Sequence, residues 1–306
     1  GEIRPLVGMV RPHIAIITTI AAAHLGNFAS LEEIAAAKAE IFEGLMPGGH
    51  AVINRDCAQF NQLEEAALAA GVSHIHSFGQ SAKADFRLTD YAQGEASAVF
   101  WASVGNRTME ISIGAPGRHI AENAIAVLGA AWLAGADMDR VRAAFATIQP
   151  EKGRGLRHRL PIGASAFTLI DDSYNANPAS MRAAISLLAA SSPEGDGRRI
   201  AVLGDMLEMG ASSPRLHAEL AEPLVAAGIS EIWLAGPDMA HLRDALPENI
   251  NVVWRATAAE LAEHALSQVR AGDVLVVKSS NGTGFGKIVA ALVDKFQPVS
   301  DTGRPN

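Results

Sequence analysis

Residues 167–190, FTLIDDSYNANPASMRAAISLLAA, decide the fold, because an apolar strand pattern leads through a polar loop into a helix pattern. Met181, Ala184, Ile185 and Leu188 recur at the i, i+3, i+4, i+7 spacing of one helix face. The same order of strand and helix repeats through strands predicted in RRIAVLGDM, EIWLAG, INVVWRA and DVLVVKSS. This alternation predicts a mostly parallel sheet with helices on both faces, which is a Rossmann-like doubly wound α/β domain.

The first half of the sequence combines two patterns. HIAIITTI (13–20) and AVINRD (51–56) are typical of buried strands, and the helix LEEIAAAKAEIFEGL lies between them. Three β-rich runs follow, DFRLTDYAQ, SAVFWASV and RTMEISIGA, and they predict an antiparallel meander. Two helices are expected near residues 118–134 and 138–148. The polar stretch QPEKGRG predicts a boundary between domains 1–150 and 151–306.

Composition excludes several classes of protein. The 306 residues are 49% hydrophobic and 19% charged, which is unlike a disordered chain. A net charge of −8 argues against a nucleic-acid partner, since phosphate binding needs a basic surface. The single cysteine, Cys57, excludes an intramolecular disulfide and predicts a reducing, cytoplasmic location. Without an uninterrupted apolar run of 18 residues, no membrane span is expected.

Polar residues follow several predicted strands, where open α/β sheets bind ligands. They are Thr18–Thr19, Asp171–Asn175, Gly204–Asp205 and Lys278–Ser280. The densest cluster, DDSYNANP, has a second interpretation as an Asx-rich turn that caps the helix at Pro178. The two interpretations are compatible.

Lys38 interrupts an apolar helix face. Ser30 and Glu33 have the spacing of a capping box, so the helix is predicted to begin at Leu31. Lys38 then falls in the middle of the apolar face, where an ammonium is costly unless its pKa falls. A neutral amine can form a Schiff base or a carbamate. The alternative is a lysine that extends to the edge of the core.

Three other side chains are candidates. His24 is a candidate only together with Lys38, since both could face the same strand end. A lone histidine after an apolar segment is more often structural. His119 and Asn123 share one side of a helix start, which suits an anion or a polar ring edge, or local capping alone. The histidines show no dense metal spacing. The glycines of SSNGTGFGK match neither the Walker motif nor GxGxxG.

Taken together, these motifs resemble the Mur ligases of the MurF type. The resemblance covers nearly the whole chain and rests on AAAH…AKAEIF (21–42), PGRHIAENAIAV, GRG (153–155), LIDDSYNANP, VLGDMLEMG and VLVVKSS. It implies an incomplete P-loop-type central ATPase domain with a small antiparallel meander, followed by a Rossmann-like C-terminal ligase domain.

The resemblance also implies a reaction. An ATP-dependent, magnesium-requiring ligase of this type adds D-alanyl-D-alanine to a UDP-N-acetylmuramoyl tripeptide through an acyl phosphate, in the peptidoglycan synthesis on which cell shape and division depend. The expected full-length protein is a monomer. The alternatives are a non-catalytic nucleotide- or ligand-binding module and a sibling Mur or folate-type ligase, which DDSYNANP disfavours.

Site residues follow from the resemblance by position. Catalytic roles are implied for four residues, Lys38, His24, Asn175 and Lys278, and the first two of these are implied to hold magnesium, with the lysine as a carbamate. Contacts to ATP are implied for His119, Asn123, Arg154, Asp172 and Tyr174. Contacts to the substrates are implied for Asn177 and Ser280, the latter near the incoming amine.

Some positions depart from the family pattern. Thr19 stands where an asparagine is usual and Gly26 where an acidic residue is usual, while Ser279 and Asn281 replace a glycine and an arginine. The family's GTNGKT loop, the acidic metal ligand expected upstream of GEI (1–3) and the sugar-binding domain are absent from the sequence. We therefore expect a fragment without ATPase turnover of its own and with weak nucleotide binding.

Overall fold

The computed structural model describes residues 1–21, 28, 30–94 and 96–297. The chain divides into two compact units, Gly1–Gln149 and Pro150–Asn306. Each unit contains one six-stranded sheet. Both sheets are dominated by parallel pairs, so the predicted α/β class is confirmed.

In the first unit the six strands lie side by side in chain order. The first four are parallel and the last three form the predicted antiparallel meander. They are β1 (Ile14–Ile17), β2 (His50–Asn54), β3 (His74–Gly79), β4 (Phe86–Gln93), β5 (Ala98–Val104) and β6 (Arg107–Ile113). The described helices are α1 (Ile3–Val10), α2 (Leu31–Ala39), α3 (Phe60–Ala69), α4 (Arg118–Leu133) and α5 (Met138–Phe145).

Helix α2 begins where the sequence predicts. The backbone N–H of Glu33 donates to the Ser30 hydroxyl at 3.2 Å, which fixes the first turn at Leu31. The α-helix ends at Ala39 and continues as a 3₁₀ turn over Glu40–Gly44. The buried side chains on this segment join residues of β1, β2 and α3 in one core; they include Ile34, Ala35 and Phe42.

The second unit has the strand order β11-β10-β9-β12-β8-β7, with β7 antiparallel to β8 and the others parallel. The strands are β7 (Leu156–Ile162), β8 (Ser165–Asp172), β9 (Arg199–Gly204), β10 (Glu231–Ala235), β11 (Asn251–Arg255) and β12 (Val274–Lys278). The described helices are α6 (Pro178–Ala189), α7 (Ser213–Ala218), α8 (Ala221–Ala226), α9 (Met239–Ala245), α10 (Ala258–Gln268) and α11 (Gly286–Phe296).

The structure differs from the sequence prediction at a few elements. The stretch SPRLHAELAEPLVAAG (213–228) has the pattern of one helix, but residues 213–226 form two short helices. Pro223 has no N–H to donate to the carbonyl of Glu219, and its ring crowds that carbonyl. Four elements were not predicted: α1, α3, β3 and β7. All five strands predicted for the second unit are present.

Candidate active site

Lys38 lies beside the carboxyl end of β1. Its ammonium nitrogen donates to the backbone carbonyl of Thr19 at 3.0 Å, two residues beyond the last residue of the strand. Burial lowers the pKa of the Lys38 amine, and Cys57 offsets part of this effect. The side chain is half-buried. Lys38 therefore has both features that the sequence analysis considered, a position at the edge of the core and a lowered amine pKa. His24, its expected neighbour, lies outside the described residues.

Asn54 was missed by the sequence analysis. This last residue of β2 donates from its side-chain amide to the carbonyl of Thr18 at 2.7 Å. It therefore links the ends of two adjacent parallel strands and supports the segment that Lys38 contacts. The available signal was a polar residue at the end of the apolar run AVIN.

His119 and Asn123 lie one turn apart near the start of α4, and both are exposed. The start of this helix is held by Tyr91, whose hydroxyl accepts the Gly117 N–H at 2.9 Å. The Arg118 guanidinium lies over the Tyr91 ring, 4.9 Å from its centre. This arrangement presents two polar side chains on a fixed helix end.

A polar network beside this helix start was also missed. The Asp56 carboxylate accepts the backbone N–H groups of Gln80 at 2.6 Å and Ser81 at 3.0 Å. The Gln80 amide in turn donates to Glu122 at 2.8 Å and accepts from Arg118 at 3.1 Å. Burial raises the pKa of the Glu122 carboxyl. These residues come from three separate segments, so no local spacing could have revealed the network.

In the second unit, Lys278 ends β12 and is buried. Its ammonium nitrogen lies 2.8 Å from a carboxylate oxygen of Asp172 and 2.9 Å from the backbone carbonyl of Asn175. The lysine side chain is 3% exposed and the aspartate side chain 24%. The pair joins the carboxyl ends of adjacent strands β12 and β8, as the sheet-edge argument predicts.

Asp171 fixes the loop that precedes β7. Its carboxylate accepts the Gly153 N–H at 2.9 Å and the Ser173 hydroxyl at 2.6 Å. Gly153 has a φ of +77°, and a side chain there would meet the Tyr174 Cβ at 2.8 Å. Gly153, the first glycine of the GRG motif, is therefore required where two loops approach closely.

Arg154 and Tyr174 lie together at this edge. The Arg154 guanidinium lies over the Tyr174 ring, 4.4 Å from its centre, and the tyrosine is 49% exposed. A guanidinium stacked on an accessible aromatic ring offers a cation and a flat surface to a nucleotide.

Asn177 is the N-cap of α6. Its side-chain oxygen accepts the Ser180 N–H at 2.9 Å, and the Ser180 hydroxyl accepts the Asn177 N–H at 3.0 Å. Pro178 occupies the first turn. The capping interpretation of DDSYNANP is thus confirmed for Asn177, whose side-chain oxygen is engaged in the cap.

The two serines directly after β12 are almost wholly buried. Ser279 is 0% and Ser280 6% exposed. The Ser279 hydroxyl donates to the Asp205 carbonyl at 3.2 Å and lies 2.6 Å from the Thr283 hydroxyl, which gives this serine a structural use where the family has glycine. The Ser280 hydroxyl accepts the Leu207 N–H at 2.9 Å and lies 3.5 Å from the Ala176 carbonyl.

The structure therefore divides the candidate residues of the sequence into several separate groups. In the second unit Lys278 contacts Asp172 and Asn175, Arg154 stacks on Tyr174, and Ser280 joins two loops. In the first unit, Lys38 of α2 contacts the segment after β1, and His119 and Asn123 lie on α4.

The described residues contain no group of three or more His, Cys, Asp or Glu side chains arranged to hold a metal ion. Burial lowers the pKa of the Lys38 amine, which is the direction that conversion to a carbamate requires. Within the same described ranges, each helix is too short or too polar to cross a bilayer.

Comparison with known proteins gives two family matches. Residues 1–131 match the Mur ligase middle domain, and residues 158–281 match the glutamate ligase domain of Mur ligases.

Individual relatives agree with these matches. The chain is 33% identical over 289 residues to the UDP-N-acetylmuramoyl-tripeptide–D-alanyl-D-alanine ligase of Rickettsia prowazekii, covering 94% of this chain and 63% of the relative. MurF from Acinetobacter baumannii superposes with a TM-score of 0.82 at 27% identity, covering 95% and 62%. MurF from Thermotoga maritima in complex with ADP has the same fold, with a TM-score of 0.80 at 22% identity, covering 96% and 65%.

The chain thus spans less than two thirds of the length of each of these relatives. Over that span, both domain matches, the sequence identity and the structural superposition agree with one another. The chain belongs to the Mur ligase family.

Proposed function

We propose that this chain carries the middle and amino-acid-ligating parts of a UDP-N-acetylmuramoyl-tripeptide–D-alanyl-D-alanine ligase. The observation that carries the proposal is the 33% identity over 94% of the chain to a relative of that name. The loops that hold the most specific sequence motifs, DDSYNANP and LGDMLEMG, also meet at one sheet edge through Ser280.

The proposed reaction has two steps. The γ-phosphoryl group of ATP passes to the carboxylate of the nucleotide-linked tripeptide, giving ADP and an acyl phosphate. The amine of D-alanyl-D-alanine then attacks the acyl carbon, the amide C–N bond forms, the C–O bond to phosphate breaks, and the amine loses a proton. ADP bound to the Thermotoga relative supports the choice of nucleotide.

The residues of the second unit suit the nucleotide side of this reaction. Asp172 is partly exposed and is held in place by Lys278, and we assign its carboxylate to a ribose hydroxyl of the nucleotide. The Arg154 guanidinium, which stacks on the Tyr174 ring, supplies a positive charge that can bind the phosphates.

The first unit supplies the remaining groups of the proposal. His119 and Asn123 would contact the adenine from the exposed start of α4. Lys38, as a carbamate, and His24 would hold a magnesium ion, which supplies charge neutralisation at the phosphates when bound. The half-buried amine with a lowered pKa supports the carbamate assignment. A monomeric state and a cytoplasmic location complete the proposal, and the single cysteine is consistent with the latter.

Phosphate release by the purified gene product that carries this sequence tests the proposal. Release is expected to require ATP, the UDP-N-acetylmuramoyl tripeptide and D-alanyl-D-alanine together. Release that instead requires a single amino acid or a folate would identify a sibling ligase, and ADP binding without turnover would identify a binding module. The 306 residues alone serve as a control without turnover, because their sequence contains no Walker motif.

A further inference from the structure

The loop that follows β3 is fixed by its backbone. The Asp56 carboxylate, two residues beyond the end of β2, accepts the N–H groups of Gln80 and Ser81. Gly79, the last residue of β3, leaves room for this carboxylate, since a Cβ on that glycine would collide with it. Gln80 is therefore held at the carboxyl ends of two adjacent parallel strands, which is the edge where open α/β sheets bind ligands.

The Gln80 side chain joins this edge of the sheet to helix α4. Its amide nitrogen donates to a carboxylate oxygen of Glu122 at 2.8 Å, and its amide oxygen accepts from the Arg118 guanidinium at 3.1 Å. These two hydrogen bonds form the Gln80 bridge. A primary amide carries both a donor and an acceptor, so one glutamine can bind an anion and a cation together. Arg118 and Glu122 are four residues apart and lie one turn apart on the same side of α4.

His119 and Asn123 form the neighbouring strip of the same helix. Each of them follows one partner of the Gln80 bridge in the sequence, and therefore lies about 100° further around the helix axis. The bridge limits rotation of the helix about this axis, because it holds two side chains that are one turn apart. The same restraint sets the direction in which the Cα–Cβ bonds of His119 and Asn123 point.

The start of α4 has a second support from the meander. The Tyr91 hydroxyl accepts the N–H of Gly117, the residue before the helix, and the Arg118 guanidinium lies over the Tyr91 ring. Tyr91 thus fixes where the helix begins, and Gln80 fixes how its first turns are rotated. The Glu122 carboxyl is half-buried, so water can replace a lost Gln80 amide only in part.

We propose that Gln80 is a positioning residue for the nucleotide, which holds α4 through the Gln80 bridge so that His119 and Asn123 face the adenine ring. This rests on the proposed function, in which those two side chains contact adenine. Gln80 acts through the helix and not by contact with the nucleotide. Loss of the bridge therefore weakens nucleotide binding and leaves the chemical step and the dipeptide site unchanged.

Steady-state kinetics of the gene product that carries this sequence test the inference, with ATP and D-alanyl-D-alanine varied separately. Gln80→Ala removes both hydrogen bonds of the bridge. It is expected to raise the KM for ATP about tenfold, with kcat within about twofold of the natural value and the KM for the dipeptide unchanged. Gln268→Ala, at the exposed end of α10, is the matched control and should change none of the three constants.

An exchange of the two bridge partners separates positioning from a general loss of structure. In Gln80→Glu two carboxylates face each other, so the KM for ATP should rise at least as far as in Gln80→Ala. In the double variant Gln80→Glu with Glu122→Gln, the amide and the carboxylate change places. The carboxylate at position 80 then accepts from Arg118 and from the amide at position 122, so the KM for ATP should return to within about threefold of the natural value.

Two results overturn the inference. One is an unchanged KM for ATP in Gln80→Ala while the natural protein is active. The other is a KM for ATP that stays as high in the double variant as in Gln80→Glu. Absence of dipeptide-dependent turnover in the natural protein overturns the proposed function instead.

Discussion

The Lys278 ammonium lies 2.8 Å from a carboxylate oxygen of Asp172, although the two residues are 106 positions apart in the chain. The pair joins β12 to β8, the two strands whose following loops carry KSS and DDSYNANP. The lysine is buried, so this carboxylate and the Asn175 carbonyl take the place of water as partners of its ammonium group.

Lys278→Met should lower the free energy of unfolding by about 2 kcal/mol, because Asp172 loses its charge partner while it is mostly buried. Urea unfolding measures the loss. Lys287→Met changes an exposed lysine of α11 and should have little effect. Equal effects of the two substitutions would show that the ion pair contributes nothing to stability.

Asp172→Asn should weaken ADP binding about tenfold, since a carboxylate that accepts a hydrogen bond becomes a neutral amide. Isothermal titration calorimetry of the gene product measures the dissociation constant. The control is Asp196→Asn, at an exposed loop position. Unchanged ADP affinity in the Asp172 variant would remove this residue from the nucleotide site.

Lys38 should carry carbon dioxide as a carbamate when bicarbonate is present. Burial lowers the pKa of its amine, which increases the neutral fraction that reacts. Carbon-13 NMR with labelled bicarbonate should show a carbamate signal that is absent in Lys38→Arg. Full activity of the arginine variant would contradict the role, because a guanidinium cannot form this carbamate.

His50 and His76 should make the fold less stable in mild acid. His50 Nδ1 lies 3.0 Å from His76 Nε2 on adjacent strands. Burial lowers the pKa of both rings; His74 lowers both further, and Asp85 partly opposes this for His76. The unfolded chain therefore takes up protons first, and stability falls as the pH drops below about 6.5.

Urea unfolding at several pH values checks this sign. His50→Asn should flatten the fall of stability below neutral pH, whereas His241→Gln, at an exposed position, should leave the slope unchanged. If the fall of stability below neutral pH is equally steep in His50→Asn, other titratable groups are responsible for it.

Asn177→Ala should destabilise the fold by about 1 kcal/mol through loss of the α6 cap. Ser186→Ala is the matched control, because this serine bonds back to the Arg182 carbonyl on the exposed side of the same helix. The two are compared by their urea midpoints. A loss of stability in Ser186→Ala but not in Asn177→Ala would refute the assignment of Asn177 as the cap.

Much of the fold is readable from the sequence because strand and helix patterns are local. The five predicted strands of the second unit and the meander of the first are continuous apolar or alternating runs. Strand β3 was missed because HIHSFG lacks such a run, although it pairs along its length with β2. Helix α1 is only eight residues long and contains Pro5 and Gly8, two residue types with low helix propensity, so its sequence does not stand out as a helix.

The candidate site was predictable in position but not in detail. The rule that ligands bind at strand ends predicts Lys278 and Ser280 at the carboxyl edge of the sheet, and the structure has both residues there. Whether their side chains reach solvent depends on how the loops after β8 and β9 cross them, which is a long-range property. Burial of Lys38, by contrast, follows from helical spacing alone, and the structure has it half-buried.

Strand β7 has a consequence for the behaviour of the protein at high concentration. It is one of the two outer strands of its sheet, and an outer strand can pair with a strand of another molecule. Its Arg159 forms an ion pair with Glu194, and Arg157 bonds to Ser191. Pro161 offers no N–H to an incoming strand. Charge and proline together protect this edge against aggregation.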